Sequence, residues 1–73
     1  MKQETSSIIF FVLAIAEVYH NEGNEKYRQE DFSNAIHFYT EGIQMNCKDE
    51  ELKAELYSGR AEAYFCLDRK SVV

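Results

Sequence analysis

Tyr19-His20-Asn21-Glu22-Gly23-Asn24-Glu25-Lys26-Tyr27 and, three residues later, Asp31-Phe32-Ser33-Asn34-Ala35-Ile36-His37-Phe38-Tyr39-Thr40-Glu41-Gly42-Ile43 decide the fold. In the first string Val18, Tyr19, Gly23 and Tyr27 recur at spacings near three and four. Glu22, Asn24, Glu25 and Lys26 fill the wet side, which is the signature of a helix. In the second string Phe32, Ala35, Ile36, Tyr39, Gly42 and Ile43 form one stripe at helical spacing. Between the two, Gln29-Glu30-Asp31 breaks the pattern. Asp31 is the expected N-cap, its carboxylate accepting from backbone N–H groups left free in the first turn. The spacing predicts a helix from Phe32 to about Asn46, ended by the polar turn Asn46-Cys47-Lys48-Asp49. Asp49 then caps a third helix, with Glu50 and Glu51 complementing its dipole. Leu52, Leu56, Tyr57, Ala61, Tyr64 and Phe65 are expected to face inward there. The fold class is all-α: three helices joined by short turns, antiparallel neighbours in a helical-hairpin arrangement.

Small residues sharpen that expectation. Gly23, Ala35, Gly42 and Ala61 stand on apolar faces where a larger side chain is the default. Glycine inside a helix costs up to about 1 kcal/mol against alanine, so such positions mark close helix approach. Paired helices crossing closely, with aromatics on either side, describe a helical-hairpin repeat.

Outward from this centre, the chain has 73 residues and room for one small domain or part of a larger one. It holds no proline and three glycines, and 45% of its residues are hydrophobic, which fits helices and excludes a disordered chain. Eight Lys and Arg against 13 Asp and Glu give a net charge of −5, which argues against a nucleic-acid partner. Cys47 and Cys66 form no zinc-ligand spacing and read as two reduced, partly buried thiols; one disulfide in an exported chain is the alternative. The unbroken apolar run Ile8 to Ala16 is too short for a membrane span. It reads as an extension of the first helix. Its length, and Ala14-Ile15-Ala16, also fit a signal peptide cleaved before Glu17, and a sequence grafted by splicing or gene-model error is a third reading.

The two opening strings resemble one complete tetratricopeptide repeat: an aromatic, a small glycine and an aromatic, then an aromatic opening the second helix, followed by alanine, aromatic and a small residue. Leu56-Tyr57-Ser58-Gly59-Arg60-Ala61-Glu62-Ala63-Tyr64-Phe65-Cys66-Leu67 resembles the first helix of the next repeat, with Ala61 in the slot held by Gly23. The interval between those two residues is 38, against a usual repeat of about 34, one extra helical turn. The divisions expected are an apolar extension over 1–15, a complete repeat over 16–48, the first helix of a second repeat over 49–67 and a tail over 68–73. Within the family, the likeness is to Hsp90/Hsp70 co-chaperones.

The resemblance implies docking of an acidic C-terminal chaperone peptide. In the family a lysine and an asparagine on the first helix, an asparagine on the third and two cations on the fifth hold two carboxylates, replacing water with fixed N–H donors. Asn24 matches the first asparagine, and His20, one turn earlier on the same face, holds the lysine slot. Gly59 stands where the third-helix asparagine would be and offers no side-chain donor. The chain has no fifth helix. Each charge-assisted hydrogen bond lost costs about 1.5–3 kcal/mol, so weak tail binding is expected. Arg60 is the third candidate; it either faces the groove or lies on a flank, paired with Glu55 or Glu62.

Plainer readings stand beside these. Asn24 and His20 also suit an exposed helix face, although a protonated His20 would mimic lysine. Tyr39, Tyr57 and Tyr64 read as packing residues, and Glu50-Glu51 as a helix start. His37 and Ser58 have no visible catalytic partner. No constellation points to nucleophilic, metal or acid–base chemistry, so neither an enzyme nor a cofactor is expected. Ser71-Val72-Val73 has the form of a PDZ ligand. The array reads as truncated after about one and a half repeats, leaving Leu56, Tyr64 and Phe65 half covered unless Ile8 to Ala16 reaches them. The leading expectation is therefore a cytoplasmic, non-catalytic protein-interaction module of the co-chaperone type, with a degraded site for acidic chaperone tails. A fragment that self-associates or packs on another repeat protein comes second and an exported helical protein third; the nucleus is a further possible location.

Overall fold

The computed structural model describes residues 2–45 and 48–71. The expectations for Asn46, Cys47, Val72 and Val73 lie outside the described residues. Three helices follow one another: α1, Lys2–Arg28; α2, Phe32–Gln44; and α3, Glu50–Ser71. This is the all-α hairpin arrangement expected. α2 lies between the other two and packs on both, while α1 and α3 meet more sparingly. The apolar run does lengthen α1, which is continuous from Lys2, and α3 continues through Asp68–Ser71.

The turn from α1 to α2 shows how the chain reverses. Asp31 N–H donates to Lys26 O at 2.9 Å and Glu30 N–H to Tyr27 O at 3.0 Å. That pair of bonds closes the helix end in a Schellman motif. It needs a left-handed residue, and Glu30 supplies it at φ 61° where glycine is the usual choice. Asp31 does not cap α2 with its side chain, contrary to expectation. Its carboxylate accepts instead from the Asn34 side-chain amide at 2.7 Å. Asp49 behaves as expected, accepting from Leu52 N–H at 3.1 Å.

The core consists of Ala16, Phe32, Ala35, Tyr39, Leu52, Leu56 and Ala63, with Val12, Leu13, Tyr27, Ile36 and Ile43 packed around it. Tyr39 is its keystone. A Cβ on Gly23 of α1 would lie 2.6 Å from Tyr39 Cε1, and one on Gly59 of α3 would lie 2.8 Å from Tyr39 Cζ. The phenol ring thus fills the space that two glycines leave open on opposite neighbours.

The inward face of α3 differs from the one expected. Leu52, Leu56 and Ala63 are buried, but Tyr57, Tyr64 and Phe65 are 51%, 53% and 62% exposed, and Ala61 is exposed too. The close approach assigned to Ala61 belongs to Gly59. α3 carries two apolar stripes on opposite sides, and α2 covers the one with the smaller residues. On α1, Val18 also faces solvent, as do Ile8, Phe10 and Phe11. The extension does not cover Tyr64 or Phe65.

Candidate groove between α1 and α3

One face of the bundle presents an open groove between α1 and α3. His20 forms its α1 side; Glu51, Ala54, Glu55, Ser58, Gly59 and Glu62 form its α3 side. Asn24 sits one turn along α1 from His20, as their spacing predicts, with its Nδ2 3.5 Å from His20 Nε2. Its amide oxygen accepts from the Tyr39 hydroxyl at 2.6 Å. The carbonyl end of Asn24 is therefore committed to the core, and the NH2 end is left as the donor beside His20. His20 Nε2 also lies 3.9 Å from Glu55 Oε1, and the His20 ring leans on that of Tyr39, centroids 6.3 Å apart.

Arg60 is not brought to the groove. It lies on the other flank of α3, its Nη1 3.4 Å from Thr40 Oγ1 on α2 and its guanidinium 5.4 Å from the Tyr57 ring centroid. Among the described residues it has no ion pair with Glu55 or Glu62. Gly59 is occupied by its contact with the Tyr39 ring.

Three glutamates, Glu51, Glu55 and Glu62, dominate the electrostatics of the α3 wall. Burial, reinforced by the Glu62 charge, pushes the Tyr39 phenol above its ordinary range, so it stays a proton donor to Asn24. At the other end of the interface Tyr27 Oη and Cys66 Sγ share a 3.5 Å hydrogen bond. That bond first, and burial second, push Tyr27 up to about 12. Sequence reading missed two things here. The acidic wall was legible, since Glu51, Glu55 and Glu62 recur at helical spacing. The Tyr39–Asn24 bond was not, because it joins residues on different helices whose register no local pattern states.

A stacked pair of hairpin helices with a third helix laid alongside, small residues at each crossing and a polar groove on one face, is the arrangement of a helical repeat. The chain belongs to the tetratricopeptide repeat family. It is 40% identical over 52 residues to tetratricopeptide repeat protein 4 of Homo sapiens, a match covering 71% of this chain and 13% of that protein. The same-named protein of Bos taurus matches to the same extent. The Hsp70/Hsp90 co-chaperone CNS1 of Saccharomyces cerevisiae is 36% identical over 47 residues, 64% of this chain and 12% of the yeast protein. The chain thus spans a small part of the length of the curated relatives it matches. No family model matches it, and no solved structure does. Among the described residues, no helix is long and apolar enough to cross a membrane.

Proposed function

We propose that this chain is a non-catalytic, cytoplasmic protein-interaction module of the co-chaperone type, and that its groove takes an acidic C-terminal peptide of an Hsp70 or Hsp90 chaperone weakly. The observation that carries this reading is the Tyr39 hydroxyl holding Asn24 by its oxygen, which fixes an amide donor beside His20 in the groove. A peptide carboxylate needs such fixed donors to replace the water it gives up. The naming of a relative as an Hsp70/Hsp90 co-chaperone supports the choice of partner. The weakness follows from the opposite wall. Gly59 contributes no donor, Arg60 is turned toward Thr40, and Glu51, Glu55 and Glu62 repel an incoming carboxylate.

The test is a 1H–15N correlation spectrum of the chain titrated with an acidic chaperone-tail peptide. Shifts clustered at His20 and Asn24 are expected, saturating only at high peptide concentration. Asn24→Asp keeps an acceptor for Tyr39 while replacing the amide donor with a negative charge, and it should abolish the shifts without unfolding the chain. Dispersed peaks that do not move with peptide would sink the reading.

A further inference from the structure

We propose that His20 is a proton-operated latch on Asn24. Without a proton at Nε2 the imidazole holds the Asn24 amide; with one it pairs with Glu55 and frees that amide for a peptide carboxylate. The latch deepens the acidic-peptide reading of the groove and rests on it, since it is what regulates that site. Two groups of opposite demand converge on one atom. Asn24 Nδ2, on α1, lies 3.5 Å from His20 Nε2, and Glu55 Oε1, on α3, lies 3.9 Å from the same nitrogen. An amide NH2 only donates and an ionised carboxylate only accepts, so Nε2 satisfies one of them at a time. Unprotonated, it accepts from Asn24. Protonated, it donates to Glu55 and turns an N–H toward the amide it had held.

The Asn24 amide is placed to respond. The Tyr39 hydroxyl donates to its oxygen at 2.6 Å, and burial, which pushes that phenol above its ordinary range, keeps it a donor. With both ends of the amide engaged, one of its N–H groups is withheld from the groove. Loss of the Nε2 lone pair ends that engagement while the Tyr39 bond stays, so the donor is released in place. The titratable groups around His20 are all acids. α3 brings Glu51, Glu55 and Glu62 to the groove, α2 presents the Tyr39 phenol, and Glu17 stands one turn earlier on α1. A histidine exchanges its proton within the physiological range, where the carboxyls of a peptide stay ionised. Carboxylate binding at Asn24 is thereby coupled to proton uptake, and the protonated ring adds a positive charge beside the ligand.

The imidazole nitrogen and Asn24 side-chain NH2 resonances of the free 73-residue chain, followed from about pH 8 to about pH 5, test the latch without a ligand. At the alkaline end the ring is expected as the tautomer with its proton on Nδ1; a proton on Nε2 there overturns the proposal. The Asn24 NH2 signals should move with the same midpoint as the ring, and signals that stay still while the ring titrates overturn it too. The acidic chaperone-tail peptide should then bind about tenfold tighter at about pH 5.5 than at about pH 8, the worth of one charge-assisted hydrogen bond. His20→Lys, charged throughout, should bind at both pH values as the parent does at the lower one. His20→Gln, which does not titrate, should show no gain. An equal gain in His20→Gln assigns the effect to the glutamates and overturns the latch while the peptide reading stands. A free chain whose ring and Asn24 signals titrate together, but which binds no peptide at either pH, upholds the latch and sinks the peptide reading.

Discussion

The two faces of α3 invert the usual relation between size and burial. The inner face buries Leu52, Leu56 and Ala63 and lays the bare backbone of Gly59 on the Tyr39 ring, while the outer face leaves Tyr57, Tyr64 and Phe65 in water. Apolar area alone would have buried the aromatics, which carry the larger hydrophobic surface. What decides is shape: α2 presents the Tyr39 ring, and only a face with a gap opposite that ring can close on it. Tightness on one side and availability on the other are therefore set by the neighbour, not by the hydropathy of the side chain.

Substitutions on the two faces should separate cleanly in urea unfolding followed by helicity, at concentrations where the chain is monomeric. Leu56→Ala empties a fully buried position and is expected to cost about 2–5 kcal/mol, most of the stability of a chain this small. Gly59→Val drives a branched side chain into Tyr39 and should cost about 1–3 kcal/mol. A stable Gly59→Val variant would show that the ring can move aside and that the inner face is less specific than drawn. Tyr39→Phe keeps the packing and removes the bond to Asn24, for a loss of about 1 kcal/mol together with weaker peptide response at Asn24. Tyr64→Ser, on the outer face, should stay within about 0.5 kcal/mol.

Alkaline pH probes the inner interface without mutation. The native state favours the protonated phenols of Tyr27 and Tyr39, both raised above their ordinary value of 10.0. Their contribution is complete below the unfolded value and is lost as pH climbs toward about 12, where Tyr27 ionises in the fold. Unfolding midpoints should fall over that interval, and Cys66→Ala should make the fall shallower by removing the chief cause of the Tyr27 shift. Equal alkaline sensitivity in Cys66→Ala and the parent chain would mean that the thiol contact contributes nothing.

The hairpin of α1 and α2 was legible because α2 has a single apolar stripe and Gly23 and Tyr27 mark the side of α1 that meets it, although Val18, read inward on the same spacing, faces solvent. α3 has two, and a period identifies stripes without saying which one meets a neighbour; Tyr57, Ala61, Tyr64 and Phe65 were assigned inward for that reason. The groove divides the same way. Asn24 and His20 are four residues apart on one helix, and their adjacency follows from the helix alone. The orientation of the Asn24 amide depends on Tyr39, fifteen residues away, and the displacement of Arg60 toward Thr40 depends on the rotation of α3 about its axis. Neither is written in local spacing.

The long α1 helix gives the molecule extents of 56 × 17 × 14 Å and a radius of gyration of 13.9 Å, where a compact chain of this length would have roughly 11 Å. Such a rod drags more water than a sphere of equal mass, so a single chain travels through a sizing column as though it were heavier. It also spins about its long axis faster than it tumbles end over end. Amide vectors in all three helices lie close to that axis and sense mainly the slow rotation, so their resonances will be broader than those of the loops for reasons of shape alone.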